Sequence, residues 1–281
     1  MISRRSFLRG AAVGAFSLPF QSVVSGPAPE VLYNGITLGT PWPPLRRYAD
    51  EYPVAVPYLV SPPAVIPIDV GRQLLVDDFL VEETSMMRQW HHATYYPANP
   101  ILRPETTWEH RDDVNQPNNR PSNPSSMVFS DGVFFDPSDR LFKMWYMGGY
   151  GATTCLATSE DGIAWTRPSF DVLPGTNVVN RTTRDSSTVW LDQFERDRGR
   201  RFKKALFYND TLNLFTSPDG VHWHAAGMTG FAYDRSTFFY NPFRKVWVFS
   251  LRGTDYPGGG VNSRYRLYWE SPEFAANHSW T

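Results

Sequence analysis

Three stretches of the chain follow one template: an aromatic-rich strand, a turn, a second aromatic-rich strand, then Ser-x-(Asp/Glu). The first runs from Ser126-Met127-Val128-Phe129 through Phe142-Lys143-Met144-Trp145-Tyr146 to Ser159-Glu160-Asp161-Gly162-Ile163-Ala164-Trp165. The second runs from Asp185-Ser186-Ser187-Thr188-Val189-Trp190 through Phe202-Lys203-Lys204-Ala205-Leu206-Phe207 to Ser217-Pro218-Asp219-Gly220-Val221-His222-Trp223. The third runs from Asp234-Arg235-Ser236-Thr237-Phe238-Phe239-Tyr240 through Lys245-Val246-Trp247-Val248-Phe249 to Ser271-Pro272-Glu273-Phe274. The serines recur at 217 − 159 = 58 and 271 − 217 = 54 residues. A period of about 50 residues with about four short strands per unit marks β-propeller blades. An all-β chain is therefore expected, with blades at about 125–170, 183–226 and 233–281. Hairpin turns are expected at Asp136-Pro137-Ser138-Asp139, at Glu195-Arg196-Asp197-Arg198-Gly199 and at Asn241-Pro242-Phe243-Arg244.

Composition agrees with many short strands. Aromatic residues make up 15% of the 281, with 24 Pro and 20 Gly, and no convincing amphipathic helix follows residue 25. Net charge is −1, which leaves no electrostatic footprint for nucleic acid or an anionic membrane. The single cysteine, Cys155, sits in an apolar strand and reads as a small buried hydrophobe.

The N-terminus reads as an address. Ser3-Arg4-Arg5-Ser6-Phe7-Leu8-Arg9 precedes a short apolar run, Ala11 to Phe20, and resembles a twin-arginine export signal over residues 1–25. The run is too short to span a membrane. The expected partner is the twin-arginine export machinery and the expected destination periplasmic or secreted; an ordinary secretory signal is the alternative. Residues 26–67 are proline-rich and extended, and the propeller domain is expected from residue 68 to 281. Within it, Gln73 to Val81 and Gln89 to Thr94 suggest strands suited to closing the ring, and 104–124 reads as a long loop. The third repeat stops inside or just before its outer strand at Thr281, so further blades are expected beyond it.

With the repeats in view, the chain resembles bacterial proteins of the five-bladed β-propeller glycoside hydrolase group, those similar to families 32 and 43. The residues carrying the match are Phe142 to Met147, Ala157 to Trp165, Asp185 to Trp190 and Asp234 to Phe243, and the resemblance covers roughly 70–281. It implies a glycosidase of oligo- or polysaccharides whose carboxylates project from the innermost strands into a central funnel. One carboxyl protonates the leaving oxygen and the other activates water or attacks the anomeric carbon.

Asp185 and Asp234 hold matching places at the heads of innermost strands and are the expected catalytic pair. Glu270, beside Trp269, is the expected general acid. Arg235 and Arg252 are expected to bind substrate, and Trp145 to stack on sugar. Blade one shows Pro124-Ser125 at the matching place, and Asp112 or Asp113 could supply a third carboxylate. Local alternatives stay open: a turn-capping role for each aspartate, an ion pair for Glu270 with Arg264 or Arg266, and a structural charge for each arginine. The Ser-x-Asp-Gly-x-x-Trp motifs read as hairpin scaffolding. His91-His92 and His222-x-His224 read as exposed strand histidines. No cofactor is expected, with a structural cation in the channel left open. A non-catalytic carbohydrate-binding propeller, or an inactive fragment of a longer enzyme, is the competing reading.

Overall fold

The computed structural model describes residues 28–42, 61–110, 124–254 and 264–279. The export segment and the acids Asp112 and Asp113 lie outside these residues. The chain divides into two compact units, Met1–Val70 and Gly71–Thr281. In the first, Val31 bridges Thr37 across a turn at Asn34-Gly35, and Ile36 and Leu38 are buried.

The second unit is nearly all β. A one-turn helix α1 (Thr107–His110) precedes β1 (Ser126–Met127), β2 (Val133–Asp136), β3 (Leu141–Gly148), β4 (Thr153–Ser159) and β5 (Val178–Asn180). Next come β6 (Ser187–Leu191), β7 (Phe202–Tyr208), β8 (Thr211–Ser217) and β9 (His224–Phe231), then β10 (Thr237–Asn241), β11 (Val246–Thr254) and β12 (Arg264–Ser271). Among the described residues these strands form three antiparallel sheets: β1–β5, β6–β9 and β10–β12. Among those residues no helix is long and apolar enough to cross a membrane.

One ladder aligns the sheets residue by residue. Ser159, Ser217 and Ser271 stand opposite Phe142, Phe202 and Trp247. Those residues in turn stand opposite Phe135, Leu191 and Tyr240 on the first strand of each hairpin. Side chains alternate across each strand, so neighbouring sheets bury facing stripes. Trp145, Leu156, Val179, Val189, Leu191 and Phe202 form one core cluster. Ala205, Leu214, Phe238, Trp247, Phe249 and Phe274 form another.

The Ser-x-Asp-Gly motif closes its own turn in each of the first two sheets. Ser159 Oγ accepts from Gly162 N at 2.8 Å, and Asp161 accepts from Ile163 N and Ala164 N at 2.8 Å each. Ser217 and Asp219 repeat the arrangement with Gly220, Val221 and His222. Gly220 has φ +82°, and a Cβ there would come within 2.4 Å of the Trp145 ring. Glycine is required twice over, for the left-handed turn and for the approach of the neighbouring sheet's indole.

Two local expectations fail. Residues 73–81 and 89–94 form no strand, and Leu74, Leu75, Val76 and Trp90 are exposed. A strand needs a partner for its backbone groups, and here local bonds take over. Phe79 N donates to Asp77 Oδ1 at 3.0 Å, and Arg88 pairs with Asp78 at 2.5 Å. The span read as a loop at 104–124 carries α1. Its Glu109 is completely buried and accepts from Glu105 N, Thr106 N, Tyr146 Oη and Arg167 Nε. Cys155 is buried as expected, and burial pushes its thiol up to about 12.

Candidate functional site

Six residues before the aligned first-strand positions stand Phe129, Asp185 and Asp234 (135 − 129, 191 − 185 and 240 − 234). The two aspartates therefore do occupy matching places. The matching residue of the first sheet is Phe129, not Pro124 or Ser125. Pro124 and Ser125 belong to the approach to β1, a short strand that pairs with the far end of β3.

These three heads meet on one side chain. Arg235 Nε lies 3.0 Å from Asp185 Oδ2 and 3.6 Å from Asp234 Oδ2. Its guanidinium carbon lies 3.8 Å from the centroid of the Phe129 ring. A second arginine, Arg252, pairs with Asp234 Oδ1 and lies 5.7 Å from the Tyr233 ring centroid. The result is an alternating array, Asp185–Arg235–Asp234–Arg252, partly open to solvent and flanked by Phe129 and Tyr233.

The backbone holds the array at some local cost. Phe129 and Arg235 have φ of +55° and +63°, unusual for bulky residues. Such strain, about 1–3 kcal/mol per residue, persists only where the surroundings enforce it. Arg235 N donates across sheets to Ser186 Oγ at 2.8 Å, and Arg266 Nη1 donates to the Arg235 carbonyl at 2.7 Å. Arg252 N donates to Ser236 Oγ at 2.9 Å.

The array offers carboxylate acceptors, fixed guanidinium donors and two aromatic faces within one patch. That combination suits a ligand with several hydroxyl groups and an apolar face. It offers less for proton transfer, because each carboxylate is already engaged by a guanidinium.

Glu270 is not part of it. It stands opposite Val248 near the β10–β11 turn, whereas Asp234 precedes the other end of β10. There it pairs with Arg244 and accepts from Tyr268 Oη, and not with the arginines at 264 or 266. Burial and the Glu270 contact push the Tyr268 phenol up. Trp145 cannot stack on a sugar: it is completely buried, and its Nε1 donates to the Gly220 carbonyl at 2.8 Å. His222 is bound at both ring nitrogens, by Asp219 at 2.7 Å and by Asp171 at 2.8 Å.

Next to Phe129 and Asp185 in the chain stands a buried polar group that local sequence did not announce. Asp131 and Arg184 are both fully buried and form a bidentate pair at 2.7 Å and 2.7 Å. Lys204 is fully buried beside them, its Nζ 4.3 Å from the Trp223 ring centroid and 4.8 Å from that of Phe215, and among the described residues it has no hydrogen-bond partner. Burial and the Arg184 charge drive its pKa well below the usual lysine value. Phe129 could have been found by counting back along the ladder; the Asp131–Arg184 pair, 53 residues apart, could not.

No family model matches the chain, and no curated protein matches it.

Proposed function

We propose that this protein recognises carbohydrate through the Asp185–Arg235–Asp234–Arg252 array, on a β-propeller akin to the five-bladed glycoside hydrolase group. The supporting observation is the meeting of three equivalent strand heads, Phe129, Asp185 and Asp234, around Arg235. In this reading the three sheets are successive blades, and the array sits where innermost strands begin. Vicinal hydroxyls replace water on the free faces of the ion pairs, and Phe129 or Tyr233 takes the apolar face of the ring. The Arg4-Arg5 leader directs the protein through twin-arginine export to the periplasm or beyond.

Hydrolysis is the second reading, favoured by the two carboxylates bridged by one arginine. It requires substrate to displace at least one guanidinium so that a carboxyl can take up a proton. Calorimetric titration with a panel of neutral and acidic oligosaccharides, paired with a reducing-end assay, separates the two. Binding lost in both Asp185→Asn and Asp234→Asn, without sugar release by the wild type, is expected. Release that vanishes in either variant while binding persists would establish the hydrolase. Binding unchanged in both variants would sink carbohydrate recognition at this array.

A further inference from the structure

The crevice between neighbouring sheets occurs twice at the turn end, the end of β6 opposite Asp185, and the two copies differ by one cation. On the aligned ladder Asp136, Asp139 and Lys143 of the first sheet correspond to Asp192, Glu195 and Lys203 of the second. Each lysine clamps its own turn. Lys143 Nζ lies 2.7 Å from both Asp136 and Asp139, and Lys203 Nζ lies 2.7 Å from Glu195.

Between the first and second sheets the crevice is filled. Arg201 reaches across from the second sheet and donates to both oxygens of Asp136, at 2.6 Å and 3.1 Å, and to Ser138 Oγ at 2.8 Å. Its guanidinium carbon lies 5.0 Å from the Phe202 ring centroid. Burial alone would raise the Asp136 carboxyl; Arg201, Lys143 and Ser138 together hold it well below the carboxylate range.

Between the second and third sheets the corresponding guanidinium is missing. The ladder places Val246 where Arg201 stands, just before Trp247, the equivalent of Phe202. Asp192 has a side chain only 8% exposed, yet Lys203 Nζ is 3.6 Å from its Oδ2, and Oδ1 accepts the Phe194 amide. Beside Asp192 there is a cavity of about 170 Å³, its lining including Glu195, Lys203, Tyr240 and Trp247. Its charged lining is three carboxylates, Asp192, Glu195 and Glu273, against two cations, Arg200 and Lys203. Phe194 replaces Ser138 and packs on Tyr240 at 5.5 Å, so the crevice has aromatic walls for a delocalised cation.

We infer that this cavity is a binding site for a guanidinium group supplied from outside the chain, which takes the place on Asp192 that Arg201 takes on Asp136. The ligand is either a free guanidino compound or an exposed arginine of another polypeptide. The site lies at the opposite end of β6 from Asp185 and does not depend on the carbohydrate reading.

The test is calorimetric titration of the full chain with agmatine, with a Gly-Arg-Gly peptide and with n-butylamine as an ammonium control. The variants are Asp192→Asn, which keeps the acceptor for the Phe194 amide, and Val246→Arg, which supplies the missing guanidinium in cis. Agmatine is expected to bind the wild type, with affinity reduced about tenfold or more in both variants. The Val246→Arg protein is expected to melt no lower than the wild type, which separates a filled site from a misfolded one. Binding of the peptide but not of agmatine would assign the site to a protein partner's arginine, and equal binding of both to free guanidino compounds. Absence of agmatine and peptide binding, equal binding by Val246→Arg, or butylamine binding as tightly as agmatine would overturn the assignment.

Discussion

The two interfaces between sheets share one ladder and differ in what they bury. Between the second and third sheets, away from the turn-end cavity, the core is apolar: Ala205, Leu212 and Leu214 cluster with Phe238, Trp247, Phe249 and Phe274, whose ring centroids lie 4.9 to 6.3 Å apart. Between the first and second sheets the apolar stripe around Trp145 and Phe202 is joined by the Asp131–Arg184 pair and by Lys204. An apolar interface is held by area and shape, and tolerates changes that conserve volume. A buried charge pair adds little net stability while intact, because desolvation offsets the Coulomb attraction, but it is severe when half is removed. The first interface should therefore be brittle to single polar changes, and the second graded in its response to volume.

The largest effect expected is from Arg184→Met. It leaves the Asp131 carboxylate buried without its partner and should lower unfolding free energy by about 3–5 kcal/mol, read from denaturant midpoints. Adding Asp131→Leu should recover most of that loss. A double variant as damaged as the single would mean that the pair is needed for more than charge balance. The counterpart on the other interface is Phe249→Leu, completely buried but near in volume, expected to cost about 1–2 kcal/mol. A penalty equal to that of Arg184→Met would erase the contrast.

The sheets were legible because their physics is local. Alternating aromatic strands, Asp-Gly turns and the serine period each act over a few residues, and all three hairpin turns fall where the sequence puts them. The head aspartates were legible for the same reason, since they stand at a fixed count from the ladder. Trp145 was misread because a tryptophan on a strand faces either solvent or a neighbouring sheet. Residues far along the chain decide between them: Phe202, which packs on the indole, and Gly220, 75 residues away and with no Cβ. Glu270 was misread because its distance from the heads depends on which end of β12 it occupies. The strands expected over 73–94 had the right side chains, and their ladder partners were never specified by local pattern.

Lys204 lets the contrast be tested with the opposite sign. Its amine is held well below the usual lysine pKa by burial and by Arg184, so the unfolded chain binds more protons than the folded one. Stability is therefore lowest below the folded-state value and rises with pH until the ordinary lysine range is reached. Lys204→Met should stabilise the protein by about 1 kcal/mol at neutral pH and flatten this rise, as measured by chemical denaturation from pH 6 to about 10. An unchanged slope would place the titration elsewhere.

The smallest effect lies at the rim of the same interface. His222, in the second sheet's Asp-Gly turn, links Asp219 of that turn to Asp171 in the segment after β4. Asp219 first and Asp171 second raise its pKa, so it gains stability as the imidazolium. That gain is present in full below the usual histidine value and is lost as pH rises through the raised one. The ring is about half exposed and screened by solvent, so the contribution is slight. His222→Asn should lower the melting temperature slightly at pH 5.5 and leave it unchanged at about pH 9. A variant that loses as much at pH 9 as at pH 5.5 would show that His222 acts through packing and not through charge.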